Sequence, residues 1–434
     1  MPNERNSSVL ELQTYLDRST TPFHAVSNAQ TILLAAGFTE LSEREHWIDT
    51  LGKYFVIRDG SLFAWNASNR DSYDNGFRII GTHTDSPNLR LKSAQQRSSL
   101  SYGQLSIETY GSPLLNSWLD RDLGISGRVI YRSDTLEQSL ISTSEPFCRI
   151  PQLAIHLDRN INEKGLVLNP HSHLTPIWTG ETITPDSFRV WLGNHLQKDI
   201  DNLISWDLML HDTQTSSLIG ANREWLASSR IDNLVSCYAA VSALSELLDT
   251  SSITIPAICL FDHEEVGSVS ASGASGNLLT GILQRIMNPL TVEQRSQTLS
   301  KSFCLSADGA HATHPNYLER HDLDHSVRLN GGVVIKRNAN QRYATDAIGE
   351  AFAKELCEKT NIPYQIFSNR NDLLCGSTIG PTTAAHLGVK TIDIGVPQLS
   401  MHSIREICGV DDQRYLKSFF NEFFLANLPS LSDK

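Results

Sequence analysis

Short apolar runs that each lead into a histidine or an acid most restrict the folds open to this 434-residue chain. FRIIGT runs into His83, AICLFD into Glu264 and Glu265, CLSA into Asp308, and the loop after TIDIG carries His402. Runs of this length, rich in β-branched and aromatic residues, read as strands. Helical patterns lie between them. Leu234, Tyr238, Val241 and Leu244 share one helix face, and YATDAIGEAFAKELCEK reads as a further helix. Such alternation predicts an α/β fold, a mixed, largely parallel sheet flanked by helices. In open sheets of that kind, ligands bind in the crevice beyond the carboxyl ends of the strands. Asp232, in SSRIDN, opens the helix around Leu234 and adds a carboxylate to the same edge.

The remaining segments sort around this frame. Leu10, Leu12, Tyr15 and Leu16, then Ala25, Ile32, Leu33 and Ala36, give two N-terminal helices, the second stopped by Gly37. KYFVIR and SLFAW flank Asp59-Gly60 as a hairpin. Between Ser93 and Leu218 the texture changes to short alternating segments such as GQLSIETYG and SGRVIYRSD, which predict a β-rich insertion. The expected division is a discontinuous catalytic domain of residues 1–92 and 219–434, interrupted by an inserted domain at 93–218.

Composition narrows the function classes. A formal charge of −12 argues against a nucleic-acid partner, which would require a basic face. No apolar run reaches membrane-spanning length, and no basic segment followed by an apolar stretch opens the chain. Seven cysteines without a C-x-x-C pair, such as Cys259 in PAICLF, read as reduced core thiols of a cytoplasmic protein.

Taken singly, the polar residues have ordinary explanations. Asp232 is a natural N-cap, Asp308 a turn aspartate before Gly309, His402 a surface histidine, and His83 a turn histidine beside Asp85. Glu264-Glu265 is harder to dismiss, because adjacent acids repel and nothing structural requires both. One as a metal ligand and the other as a general base explains the doublet. His83-x-Asp85 suits an imidazole ligand whose second N–H is held by a carboxylate. The set holds two histidines, two aspartates and a glutamate as ligands with one glutamate left over, which is what a two-zinc hydrolase needs. No G-x-S-x-G elbow or phosphate-binding loop competes with it.

These motifs resemble the aspartyl aminopeptidase family of two-zinc exopeptidases. The resemblance runs through GTHTDSPNLRLK, IPQLAIHLDRNINEKG, DHEEVGS, SADGAHATHPNY, VIKRNANQRYATDA, NDLLCGSTIGP and PQLSMHSIRE. It implies two Zn2+ per subunit, with Mn2+ or Co2+ able to substitute, and release of N-terminal Asp or Glu from peptides by metal-activated water. By resemblance His83 and Asp308 hold one ion, Glu265 and His402 the other, and Asp232 bridges them; bridging aspartates of related enzymes carry a cis peptide, which the resemblance implies for Asp232-Asn233. Glu264 is then the general base and Asp85 the carboxylate behind His83. His156 reaches a neighbouring subunit's site, and Lys336 and Tyr343 contact the acidic side chain. The family also implies that the β-rich insertion is a dimerisation domain, and that dimers assemble into a dodecamer. A two-zinc deacylase or carboxypeptidase on the same scaffold, or a catalytically silent assembly protein, stays open on residues alone.

Overall fold

The computed structural model describes residues 2–248 and 253–427. The chain divides into two compact units, residues 1–85, 217–401 and 406–434, and residues 86–216 with 402–405.

The first unit is built on a nine-stranded mixed sheet. Its order is Thr39–Glu40, Gly52–Arg58, Ser61–Ala67, Ile255–Phe261, Phe77–His83, Phe303–Ala307, Lys390–Gly395, Val333–Arg337 and Tyr364–Ser368. From Ile255–Phe261 to Lys390–Gly395 the strands run parallel, with antiparallel pairings on either side. Parallel strands buried on both faces read as continuous apolar runs, as these do. Side chains alternate between two cores. Ile258 and Leu260 join Leu234, Val241, Phe419 and Phe423 on one side, while Ala257, Cys259 and Phe261 join Phe63, Trp65, Ile282 and Ile379 on the other. The helix Ile231–Glu246 is buried from Ile231 through Leu244, so it serves as a core element rather than a surface one. Leu10, expected on the core face of the first helix, is instead 61% exposed, whereas Leu12 and Leu16 are fully buried. Asp59-Gly60 closes the hairpin between Gly52–Arg58 and Ser61–Ala67.

Arg78 is the most demanding residue of this core. It is 1% exposed, and its guanidinium donates to the carbonyls of Ala426, Phe77 and Lys301 at 3.0–3.1 Å. Burial pulls its pKa down to about 10. Arg78→Met would leave those carbonyls without their donor. A loss of about 2–4 kcal/mol is expected, read as a lower urea midpoint at unchanged m. An unchanged midpoint would show that water replaces the guanidinium without loss.

The second unit is mainly β. Leu203–Asp212, Asn88–Ser99, Tyr102–Tyr110, Ile177–Thr179, Cys148–Arg149 and Asp122–Arg132 pair in that order, and Asp122–Arg132 pairs again with Leu203–Asp212. Six strands thus pair in a closed ring, and Leu136–Ser142 adds a seventh, paired with Asp122–Arg132. Its core includes Leu89, Leu105, Trp118, Leu123, Val129 and Leu208. One helix, Ser187–Leu196, packs Phe188 and Leu192 into that core. Among the described residues no helix is long and apolar enough to cross a membrane, and the cysteines are free.

Candidate active site

The carboxyl ends of the parallel strands carry the site. His83 closes Phe77–His83 and lies in register with Phe261, the last residue of the neighbouring strand. The chain then turns through His263, in the left-handed region at φ 65°, into the single turn Glu264–Val266. Asp308 follows the strand Phe303–Ala307. Its backbone approaches Gly395 so closely that a Cβ there would lie 1.9 Å from the Asp308 carbonyl oxygen. Asp232 and Asn233 have non-helical φ/ψ at the start of Ile231–Glu246, and the peptide bond between them is cis.

Parallel register brings these ends together. His83 Nε2 lies 3.3 Å from Asp232 Oδ1 and 3.3 Å from Asp308 Oδ1. The other ring nitrogen, Nδ1, is 3.0 Å from the backbone oxygen of Asp85 and 3.4 Å from its Oδ1. Asp85 also accepts the backbone N–H groups of Glu264 and Glu265, one on each carboxylate oxygen, both at 3.1 Å. A single buried carboxylate therefore orients both the imidazole and the acidic doublet. His83, Asp232 and Glu265 each offer one ligand atom, all within 4.8 Å of one another.

The electrostatics follow from crowding. Burial pushes Glu264 up to about 8, with His83 opposing and Asp308, Asp85 and Asp232 reinforcing. Burial and then Asp232 raise Glu265 well above the usual carboxylate range. For His83 burial works the other way, but bonds to Asp232, Asp308 and Asp85 outweigh it and lift the imidazole well above its ordinary value. Fully ionised, Asp85, Asp232, Glu264, Glu265 and Asp308 would carry more negative charge than His83 and Lys336 can balance, and the upward shifts of Glu264 and Glu265 express that cost. Buried charge of that sign calls for cations. Imidazole nitrogen and carboxylate oxygens are donors that zinc accepts, as do manganese and cobalt, so the residues present fit a divalent metal.

Lys336, on the strand Val333–Arg337, adds a cation to this edge. It is 2% exposed, with Nζ 3.7 Å from Asp308 Oδ2 and 5.3 Å from the centre of the Tyr343 ring. The first unit thus gathers His83, Asp85, Asp232, Glu264, Glu265, Asp308, Lys336 and Tyr343. His402 and His156 belong to the second unit. His402 has a left-handed φ of 66°, and its Nδ1 lies 3.2 Å from the Ser112 carbonyl oxygen. His156 sits on the exposed turn Ile155–Leu157.

Sequence reasoning missed residues that hold the candidate ligands in place. The buried Glu406 accepts the backbone N–H of Asp232 at 3.0 Å, and the Asn233 amide donates to the Ala307 carbonyl at 2.7 Å. Cys237 donates to the His83 carbonyl at 3.0 Å. An acid running into Ile-Cys was the available sign for Glu406.

A histidine and a dense set of carboxylates at the carboxyl edge of a mixed α/β sheet define a metal-dependent hydrolase. A family model described as aminopeptidase I zinc metalloprotease (M18) matches residues 15–424. The "Probable M18 family aminopeptidase 2" of Streptomyces coelicolor is 43% identical over 411 residues, covering 94% of this chain and 95% of that protein. A chain in the cryo-EM structure of the Ape4 and Nbr1 complex superposes with a TM-score of 0.93 at 37% identity, covering 97% of this chain and 86% of that one. The S. cerevisiae mApe1 dodecamer gives a TM-score of 0.85 at 29% identity, covering 97% of each chain. The chain belongs to the M18 family and is a metallo-aminopeptidase. That membership sets aside the deacylase and carboxypeptidase readings.

Proposed function

We propose that the protein is a zinc-dependent aminopeptidase with a preference for peptides beginning with aspartate or glutamate. The observation that carries this reading is Lys336, an ammonium buried at the edge of the metal-capable cluster and covered by Tyr343. Lysines are almost never fully buried without a partner or a purpose. In a water-poor pocket a nearby cation outweighs a distant, screened surface charge, so the overall −12 does not bar an acidic side chain.

In this reading His83 and Asp308 hold one ion, Glu265 and His402 the other, and Asp232 bridges. Zinc so bound would polarise the scissile carbonyl as a Lewis acid and lower the pKa of water. Glu264 is left free of ligand duty; it takes the proton of the attacking water and passes it to the leaving amine. Asp85 keeps Glu264 and His83 in place through the hydrogen bonds described above.

Assembly belongs to the same proposal. The exposed Leu153, Ile155 and Leu157 flank His156, a clustered apolar surface of the kind that marks contact with another protein. We assign that contact to a second copy of the chain, whose oxyanion His156 would stabilise, and the β-rich residues 93–218 to dimerisation within a dodecamer.

Lys336→Ala tests the pocket. Relative to wild type, kcat/KM for a peptide beginning with aspartate is expected to fall about 10–100-fold, with the matching leucine peptide changed less than about threefold. Equal losses on both peptides would remove the selectivity role of Lys336.

A further inference from the structure

Asp393 is a fully buried acid inside the apolar strand Lys390–Gly395. A carboxylate in such a place is unfavourable unless its oxygens find donors. Oδ2 accepts the backbone N–H of Ala344 at 2.5 Å, and Oδ1 accepts the hydroxyl of Thr378 at 2.5 Å. Thr378 in turn caps the helix Ile379–Leu387, accepting the N–H of Gly380 at 3.2 Å. The Asp393 backbone is tied in as well, donating its own N–H to Thr345 Oγ1 at 2.8 Å. One residue thus pins 344 and 345 to the sheet from both its side chain and its backbone. Tyr343 is the residue immediately before them.

The register places this knot beside Lys336. Val333–Arg337 runs antiparallel to Lys390–Gly395, with Val334 opposite Gly395 and Ile335 opposite Ile394. Continued one step, that register sets Lys336 across from Asp393, and directly opposed residues share a face of the sheet. The Tyr343 ring stands 5.3 Å from Lys336 Nζ and makes an edge contact with Phe367 at 6.2 Å. Lys336 also has a competing partner in Asp308, 3.7 Å away.

We propose that Asp393 is a positioning residue for specificity: by anchoring residues 344–345 it holds the Tyr343 ring over Lys336 and keeps that ammonium available to an acidic N-terminal side chain. Without the anchor, Tyr343 moves off and the lysine closes onto Asp308. The inference rests on the pocket reading proposed above.

Two routes disturb the anchor. Asp393→Ala removes it. Gly380→Ala leaves Asp393 in place but adds a Cβ that would lie 2.3 Å from its Oδ2, displacing the carboxylate, while alanine in a helix does not weaken the helix. Steady-state kinetics of the metal-loaded protein on matched aspartate and leucine peptides, with Lys336→Ala alongside, decide the matter. Both variants are expected to raise KM for the aspartate peptide about tenfold, with KM for the leucine peptide and both kcat values within about twofold. Asp393→Asn, whose amide oxygen can take the Ala344 N–H and whose amide nitrogen can meet Thr378, is expected to restore the wild-type ratio. Losses equal on the two peptides, an unchanged ratio, or Asp393→Asn behaving like Asp393→Ala would overturn the positioning role while Lys336→Ala still behaves as expected. No aspartate preference in the wild type, or equal losses in Lys336→Ala, would instead defeat the pocket reading and the inference with it. If Asp393→Ala does not fold, Gly380→Ala and Asp393→Asn carry the same decision.

Discussion

Glu264→Gln is expected to lower kcat by about 10²–10⁴-fold while metal content and KM remain near wild type. The substitution keeps size and shape. Its backbone N–H still donates to Asp85 Oδ1, so the turn Glu264–Val266 has no reason to move. What disappears is the acceptor for the proton of water; Asp85, the other carboxylate outside the proposed ligand set, is already taken up by the backbone N–H groups of Glu264 and Glu265. Steady-state kinetics with metal analysis of the same sample checks the expectation. A kcat within about threefold of wild type, with metal retained, would mean that another group accepts the proton.

Asp232→Asn is expected to abolish activity by another route, through loss of metal. A neutral amide cannot bridge two cations as a carboxylate does. The backbone around it is secured independently, by Glu406 on the Asp232 N–H and by the Asn233 amide on the Ala307 carbonyl, so the effect stays local. In chelator two effects of the substitution oppose each other: Asp232 is, after burial, the largest contributor to raising Glu265, yet it is also the first of the bonds that lift His83. Thermal unfolding should therefore show a gap between wild type and Asp232→Asn that is large with metal present and below about 1–2 kcal/mol in chelator. A gap as large in chelator as with metal would mean that Asp232 supports the fold rather than the metals.

Much of this site was legible before the fold, for a physical reason. A parallel strand buried on both faces must be apolar along its length, so the first histidine or acid after it marks the carboxyl edge. His83, Glu264, Glu265 and Asp308 all announce themselves in that way. Asp232 was readable as a polar helix start, although the helix begins at Ile231 and the cap position is non-helical. The supporting residues were not legible, because their roles depend on pairing across long stretches of chain. Glu406 meets Asp232 across 174 residues, and Asp393 meets Ala344 across 49. Asp393 left one faint sign, an acid between two isoleucines where a strand should be apolar. In the second unit, alternation gave the β character but not the helix Ser187–Leu196. Its Phe188 and Leu192 spacing is too short to separate from the surrounding strand pattern.

Release of free amino acid from two matched peptides, one beginning with aspartate and one with leucine, with and without chelator, tests the central claim most directly. The account predicts chelator-sensitive release of aspartate well above leucine. Release of leucine at the same rate would contradict the acidic pocket built on Lys336, and release from either peptide that survives metal removal would contradict the metal centre itself.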